Sequence, residues 1–580
     1  MATSPKPFRL VVMLRRAAIF LQLCTTLCLA LAGLSEGATK PNVVLVTFES
    51  TRADRMGFLG SERGVTPNLD ALARQAVVFE RAYAQAPLTV VSHATILSGT
   101  YPQTHQANAL GGPINSSVPW LSDLFRALGY HTSAYVGLRN LDPKSGMAQG
   151  FDRGFVVYDA GFRLPQKGML RSQSVERSGD QVVARAVAGL KGKSNPFFLW
   201  IHLSDPQAPY ASYDRAVAAA DAAFGKLVSA LKAQKLYDDS IVAVAADHGE
   251  SLGAHGEDTH GIFLYDDTIL VPLLIKLPQN QMAGKRVTGR VRLLDVAPTI
   301  LEAASVPVPP QMQGQSLLRI AKSNPTADQA VYSRSDFPQR GFGWSPLQSW
   351  RASKYLYVRA PKPELYDLST DAAATKNIAP TSKGTVDTIA SQLDGFDKRF
   401  TSGAKGAELS SSEMQKLASL GYVGIQKSNT ASAATGTDPK DAIATANKVE
   451  SALQALDDGK PEKAVPILQQ VLANSASVYL AQYGLGSALA QLQQCQKAIE
   501  PLRKAIELQP DSAWAHFQMG SCLTKTGDYK TAVVHLEIAT SRLPDFGDAY
   551  VLLAQTYDHL GRAEDANRAR AKAAQLGKKA

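Results

Sequence analysis

A small residue recurs every 34 positions through the C-terminal part of the chain. Gly486, Gly520 and Ala554 form one series, Ala498, Ala532 and Ala566 a second, and Ala505, Ala539 and Ala573 a third. Ala464 stands one period before Ala498, and Pro510 and Pro544 close successive units. A fixed period of this length marks a supersecondary unit that cannot bury its apolar face alone and must stack on its neighbours. Small side chains at constant spacing let two antiparallel helices cross closely. Residues 442–580 are therefore expected to form helix pairs stacked into a solenoid with a concave groove.

These repeats resemble the tetratricopeptide (TPR) pattern, which implies a protein or peptide partner held in the groove. The rest of the chain reads differently. With 580 residues, 45% of them hydrophobic and 19% charged, two or more globular domains are expected. Apolar runs at Asn42–Phe48, Thr132–Val136, Pro196–Leu203 and Ile241–Ala246 read as strands. Thr66–Gln75, Leu121–Leu128 and the long amphipathic stretch Tyr213–Leu236 read as helices. Buried strands alternating with helices predict an α/β domain, a sandwich around a mainly parallel central sheet, over residues 39–395. Residues 396–441 hold Ser410-Ser411-Ser412 and the small, polar run Thr430–Gly436, as a linker would. Within it, Leu417–Val423 is apolar enough to pack back on the α/β domain.

Residues 1–38 read as an export signal or N-terminal anchor. Lys6, Arg9, Arg15 and Arg16 precede an apolar run from Ala17 to Gly33, and Ala30-Leu31-Ala32 supplies a small-x-small cleavage pattern. The run is short for a bilayer span of about 20 residues, which favours a cleaved signal and a periplasmic or secreted protein. The net charge of +10 comes without clustered Lys or Arg, which excludes a nucleic-acid footprint. Mild basicity suits an anionic substrate or association with a membrane surface. Only Cys495 and Cys522 lie outside the N-terminal segment. Two cysteines make no disulfide framework, and both read as small core residues of the repeats rather than as a bridge.

Chemistry concentrates in four segments. The first strand ends in Thr47-Phe48-Glu49-Ser50-Thr51-Arg52-Ala53-Asp54. Pro87–Ala94 carries Thr89, Ser92 and His93. A later strand ends in Ala246-Asp247-His248-Gly249-Glu250, and the loop after it holds His255, Glu257, Asp258 and His260. In open α/β sheets ligands bind beyond the carboxyl ends of strands. Two carboxylates and an imidazole meeting there suit Zn²⁺ or Mn²⁺, with a hydroxyl as fourth ligand and nucleophile. The expected metal ligands are Glu49, Thr89, Asp247 and His248. Ser92 is the rival nucleophile, or else a cap for the following helix. His255 and His260 are candidates for hydrogen-bonding the substrate or protonating the leaving group. A second metal or substrate subsite would draw on Asp205, Gln207 and His260. His202, inside a strand, reads as structural. Arg52 reads as an orienting partner of Glu49 or a surface ion pair with Asp54.

The same segments resemble the sulfatase branch of the alkaline-phosphatase superfamily. "VTFESTRAD" is similar to its first metal-ligand strand, "SHATILSGTYP" to its nucleophile segment, and "ADHGESLGAHGEDTHG" to its Asp-His ligand loop. Weaker similarity continues through Val271–Pro278, Leu293–Pro307 and Glu364–Asp371, so the resemblance covers residues 41–395. Sulfatases carry Cys or Ser in C/S-x-P-S-R, oxidised to formylglycine. Registering on Ser92 and Gly99 puts Thr89 there, with Val91 for the Pro and His93 for the Arg. Oxidising a secondary alcohol stops at a ketone, so Thr89 cannot give the aldehyde. Gly137-Leu138-Arg139-Asn140 stands where the family has Gly-Lys-x-His, and Asp205-Pro206-Gln207 where many relatives have Asp-Pro-His. The resemblance implies a metal-dependent hydrolase or transferase of phosphate esters or phosphodiesters that uses Thr89. The alternatives are a sulfuric ester hydrolase without formylglycine, and a TPR-based binding protein with a vestigial enzyme domain. Loops within 103–190 and 335–350 are expected to set specificity.

Overall fold

A computed structural model describes residues 40–578 except 112, 146, 163–166, 168–174, 192–195, 324, 401–409, 421 and 423–435. The expected export segment and much of the 396–441 linker lie outside the described residues. No helix among the described residues is long and apolar enough to cross a membrane.

Asn42–Phe48 (β1) is the apolar run that begins the sheet, and all seven of its residues are buried. Helix α1 (Pro67–Ala73), with proline at its first turn, leads to β2 (Val77–Tyr83) and then α2 (Thr89–Ser98). Helix α3 (Leu121–Ala127), β3 (His131–Val136) and β4 (Val157–Asp159) follow. Next come α4 (Gly179–Leu190), β5 (Phe197–Leu203), α5 (Tyr213–Ala233) and β6 (Ser240–Ala246). Strands β7 (Leu270–Lys276) and β8 (Arg286–Arg292) complete an eight-stranded sheet of order β4-β3-β5-β1-β6-β7-β2-β8. Only β7 runs against its neighbours, so the sheet is mainly parallel, and β1, β5 and β6 lie fully buried at its middle.

A second sheet has no counterpart in the sequence reading. Strands β9 (Val331–Ser335), β10 (Leu347–Ala352), β11 (Tyr355–Arg359) and β12 (Glu364–Asp367) form an antiparallel set of order β12-β11-β10-β9. The stretch 335–350, expected as loop, is thus largely a short helix over Phe337–Phe342 and the start of β10. Helix α6 (Lys383–Phe400) packs on this sheet through Ile389 and Leu393.

The solenoid begins at Pro439. Helices α8 (Pro439–Asp457) and α9 (Pro461–Asn474) are followed by α10 (Tyr479–Gln491) and α11 (Cys495–Leu508). Then come α12 (Ala513–Thr526), α13 (Tyr529–Arg542), α14 (Gly547–His559) and α15 (Ala563–Gln575). The periodic glycines sit at helix crossings. A Cβ on Gly486 would lie 2.5 Å from Leu502, and one on Gly520 2.6 Å from Leu536. Cys495 and Cys522 are buried free thiols.

The short helix α7 (Ser411–Ser419) corrects the expectation for Leu417–Val423. Leu417 and Tyr422 are buried, but the segment docks on the solenoid rather than the α/β domain. Tyr422 Oη lies 3.4 Å from His535, Lys416 pairs with Glu537 at 2.6 Å, and Glu413 pairs with Arg542 at 2.7 Å.

Candidate active site

Strand register brings the key side chains together. Phe48 pairs with Leu203 on one side and Ala246 on the other, so Glu49 and Asp247 emerge next to each other at the carboxyl ends of β1 and β6. Ser50 takes a left-handed conformation (φ 45°), and its N–H donates to Asp247 Oδ1 at 3.0 Å. The His248 N–H donates to the same oxygen at 2.8 Å. Next to the carbonyl of Gly249, 2.9 Å away, His248 Nδ1 fixes the ring. Its Nε2 then faces Glu49 Oε1 at 3.4 Å, Asp247 Oδ2 at 3.5 Å and Thr89 Oγ1 at 3.4 Å.

Thr89 opens α2, where the first-turn amides and the helix dipole favour a nearby anion. Its hydroxyl donates to Glu49 Oε1 at 2.8 Å. Ser92, one turn on, donates to the main-chain oxygen of Asp247 at 2.5 Å and ties α2 to the end of β6. It neither caps a helix nor competes with Thr89. The expected quartet Glu49, Thr89, Asp247 and His248 is therefore assembled, and each member is buried.

Burial opposes ionisation here, yet the imidazoles of His202 and His248 hold the Glu49 carboxyl well below the usual carboxylate range. Asp247 is pushed well above that range by burial and by the charge on Glu49. Burial would lower His248, but Asp247 and Glu49 raise it to about 9. Glu49 Oε2, Asp247 Oδ2, His202 Nε2 and Glu250 Oε2 are buried without a hydrogen-bond partner. Such atoms are rare in folded proteins, and two of them belong to a metal-type donor set, with Glu49 Oε2 3.1 Å from His202 Nε2 and Asp247 Oδ2 3.5 Å from His248 Nε2. Glu49, His248 and His260 each offer a ligand atom within 4.8 Å of the others. The residues present fit a divalent cation.

His260 belongs to this cluster. Its ring packs on His248 with centroids 4.3 Å apart, and Nδ1 lies 3.2 Å from Glu250 Oε1. His255 does not. It takes φ 54°, stacks on Tyr265 at 3.7 Å and faces Asp267 at 3.7 Å. Asp205 and Gln207 have local partners. Asp205 accepts the Gly179 N–H at 3.0 Å, capping α4, and Gln207 Nε2 approaches the oxygen of Ala208 at 3.4 Å. Arg52 does not orient the Glu49 carboxylate. It pairs with Asp54 and Asp267 and donates to the Glu250 carbonyl at 2.9 Å.

Sequence reasoning missed the support behind Glu49. His202 Nε2 stands 3.1 Å from Glu49 Oε2, close enough for an ion pair though misaligned for a hydrogen bond. Thr47 Oγ1 gathers His202 Nδ1 at 3.1 Å, His93 Nε2 at 2.9 Å and Trp200 Nε1 at 3.0 Å. The available signal was register: Thr47 and His202 are paired positions on adjacent strands, each one residue short of its strand end. A polar pair inside two apolar strands marks a buried network.

Comparison with known proteins agrees with this geometry. Residues 41–306 match the sulfatase family model, and residues 259–398 match that of the C-terminal part of N-sulphoglucosamine sulphohydrolase. The chain carries a sulfatase-family catalytic domain. Its relatives and structural neighbours are ester hydrolases. An ulvan-active sulfatase of Formosa agariphila is 25% identical over 61% of this chain and 80% of its own length. A delta 4,5-hexuronate-2-O-sulfatase of Bacteroides thetaiotaomicron is 26% identical over 60% of this chain and 87% of its own. In fold, the sulfatase domain is similar to a phosphonate monoester hydrolase of Agrobacterium radiobacter. That likeness has a TM-score of 0.52 and 18% identity, and covers 62% of this chain and 96% of the other. Residues 449–513 and 502–534 match tetratricopeptide repeat models.

The TPR array touches the sulfatase domain at its active-site loop. Asn447 of α8 accepts the Asp258 N–H at 3.2 Å and donates to the Gly256 carbonyl at 2.9 Å. At the C-terminal end of α8, Asp457 pairs with Arg139 at 3.1 Å. Between them, burial and the charges of Asp457 and Glu250 push Glu450 up to about 7.

Proposed function

We propose that this sulfatase-family enzyme hydrolyses or transfers phosphate esters or phosphodiesters, with Thr89 as nucleophile. The observation that carries the reading is the Thr89 hydroxyl, 2.8 Å from Glu49 Oε1 and 3.4 Å from His248 Nε2 at the first turn of α2. A cation held by Glu49, Asp247 and His248, with Zn²⁺ or Mn²⁺ best suited to mixed O/N donors, would favour the alkoxide and neutralise phosphoryl oxygens.

Thr89 Oγ1 gives its proton toward Glu49 and forms a bond to phosphorus, while the bond to the leaving oxygen breaks. The α2 amides stabilise the added charge. His260, beside His248 and held by Glu250, protonates the leaving alkoxide. Water or an acceptor hydroxyl then attacks phospho-Thr89 and gives its proton to His260, while the phosphorus–Thr89 bond breaks and the threonine oxygen takes back the proton from Glu49. The substrate is an anionic ester, the TPR groove takes a protein or peptide partner, and the enzyme acts after export.

Sulfuric ester hydrolysis is the second reading, because the similar curated proteins are sulfatases. The chemistry of position 89 weighs against it, and the assembled quartet weighs against a purely binding role. Paired assays on aryl phosphate, bis-aryl phosphodiester and aryl sulfate decide between the esters. We expect phosphorus esters to turn over faster. Thr89→Ala lowers kcat by about a thousandfold or more, while Thr89→Ser keeps part of it. Full turnover by Thr89→Ala on the best ester refutes the assignment.

A further inference from the structure

The two cysteines of the TPR array meet at one seam. Cys495 opens α11 and Cys522 lies in the third turn of α12, 27 residues later. Both side chains are buried, and their sulfurs are 2.7 Å apart. That is closer than two non-bonded sulfurs rest, and approaches a disulfide bond of about 2.05 Å. The repeat does not require sulfur at these places. One period earlier the same positions hold Pro461 and Ala488, and one period later Tyr529 and Thr556. Small-residue packing alone would be served by alanine, as at Ala488.

The surroundings also favour reaction. The Cys522 thiol donates to the Cys495 sulfur, and Lys525, one turn along α12, adds positive charge; together they bring Cys495 down to about 7. Cys522 is raised by the same bond and by burial. One sulfur is thus prepared as the attacking thiolate and the other as the resolving thiol.

We propose that Cys495 and Cys522 close a disulfide that staples α11 to α12, and so the second helix pair of the array to the third, when the chain meets a disulfide oxidant. The Cys495 thiolate attacks one sulfur of the oxidant, whose S–S bond breaks and whose departing sulfur takes a proton. Cys522 then loses its proton and attacks Cys495 in the mixed disulfide, releasing the second oxidant thiol. Two protein thiols are oxidised and one small disulfide is reduced to two thiols. Because both sulfurs are buried, exchange proceeds while the α11–α12 seam is open, and packing then shields the bond. Such a bond persists in an oxidising compartment.

The test uses the full-length chain incubated with glutathione disulfide, then denatured, alkylated and digested. We expect one cross-linked peptide pair joining Cys495 to Cys522, absent after reduction and absent from Cys522→Ser. We also expect thermal unfolding several degrees higher than for the reduced protein. If both cysteines take up the alkylating agent, or glutathione stays attached to Cys495 with no cross-link, the staple does not exist.

Discussion

Glu49 meets Thr89, His202 and His248 at once, and that convergence makes it the residue whose charge matters most. Glu49→Gln keeps the shape and removes the charge. It should weaken divalent-metal binding by at least about tenfold, read as metal per chain after dialysis, with the circular dichroism spectrum unchanged. Wild-type metal content in this variant would remove Glu49 from the ligand set. The quartet was legible in the sequence because each member follows an apolar run or opens a helix, positions where side chains of parallel sheets converge. His255 was not. Its φ of 54° and its stacking on Tyr265 depend on a partner ten residues away and on a local turn, neither encoded in spacing from His248. Asp205 misled for a related reason: a carboxylate after a strand suits an incoming helix N-terminus as well as a metal, and here Gly179 claims it.

Among elements, the solenoid was readable because its period is long and its small residues face one another. Gly520 tests this directly. Alanine is the better helix former by about 1 kcal/mol, yet its Cβ would stand 2.6 Å from Leu536, so overpacking should win. Gly520→Ala should lower stability by about 1–3 kcal/mol in chemical denaturation; a gain would show that the helices part freely. The seam between α7 and the array gives a second test. Tyr422 faces His535 Nε2 at 3.4 Å, His535 and His516 share a 2.9 Å contact between their Nδ1 atoms, and His516 Nε2 meets the Pro510 carbonyl at 3.1 Å. Only one proton arrangement satisfies all three contacts, with both rings neutral. Burial, offset in part by the Pro510 carbonyl, lowers His516 to about 4, and burial with its neighbour holds His535 well below its ordinary value. Arg542 and Glu413 are the charged groups facing His516. Between about pH 6.5 and 4 the unfolded chain binds protons that the folded chain refuses, so stability falls as pH drops through that window. The Tm of the array should decrease across it by several degrees, and His516→Asn should flatten the slope. The antiparallel β9–β12 sheet escaped the sequence because its strands are four to six residues long and mix apolar with charged positions.

At the scale of the whole molecule, α8 belongs to both parts. Along it, about 15 Å separates Asn447, on the loop bearing His255, Glu257 and His260, from Asp457, which pairs with Arg139. Asn447 binds the loop main chain twice, and a Cβ on Gly256 would stand 3.5 Å from Ile443. Lys440 pairs with Glu364 at 2.7 Å, Glu364 accepts the Tyr265 hydroxyl at 2.5 Å, and Tyr265 carries the stacked ring of His255. The first repeat therefore acts as a brace for the loop that delivers His260. Two hydrogen bonds of about 0.5–1.5 kcal/mol each are enough to shift local opening several-fold. Asn447→Ala should speed amide exchange across residues 251–261 by roughly fivefold or more, and leave exchange in α12–α15 unchanged. Arg568→Ala, a substitution on the exposed face of the last helix, should alter neither. The internal bonds of the loop set the competing expectation. Glu257 already accepts the Ile262 and Phe263 N–H groups at 2.7 and 3.2 Å, and Ser251 N–H reaches Thr259 O at 2.7 Å. If those suffice, exchange in Asn447→Ala will match wild type and the array is only attached to the sulfatase domain. If exchange rises as expected, the groove and the catalytic centre share one helix, and whatever tightens α8 tightens the loop that holds His260.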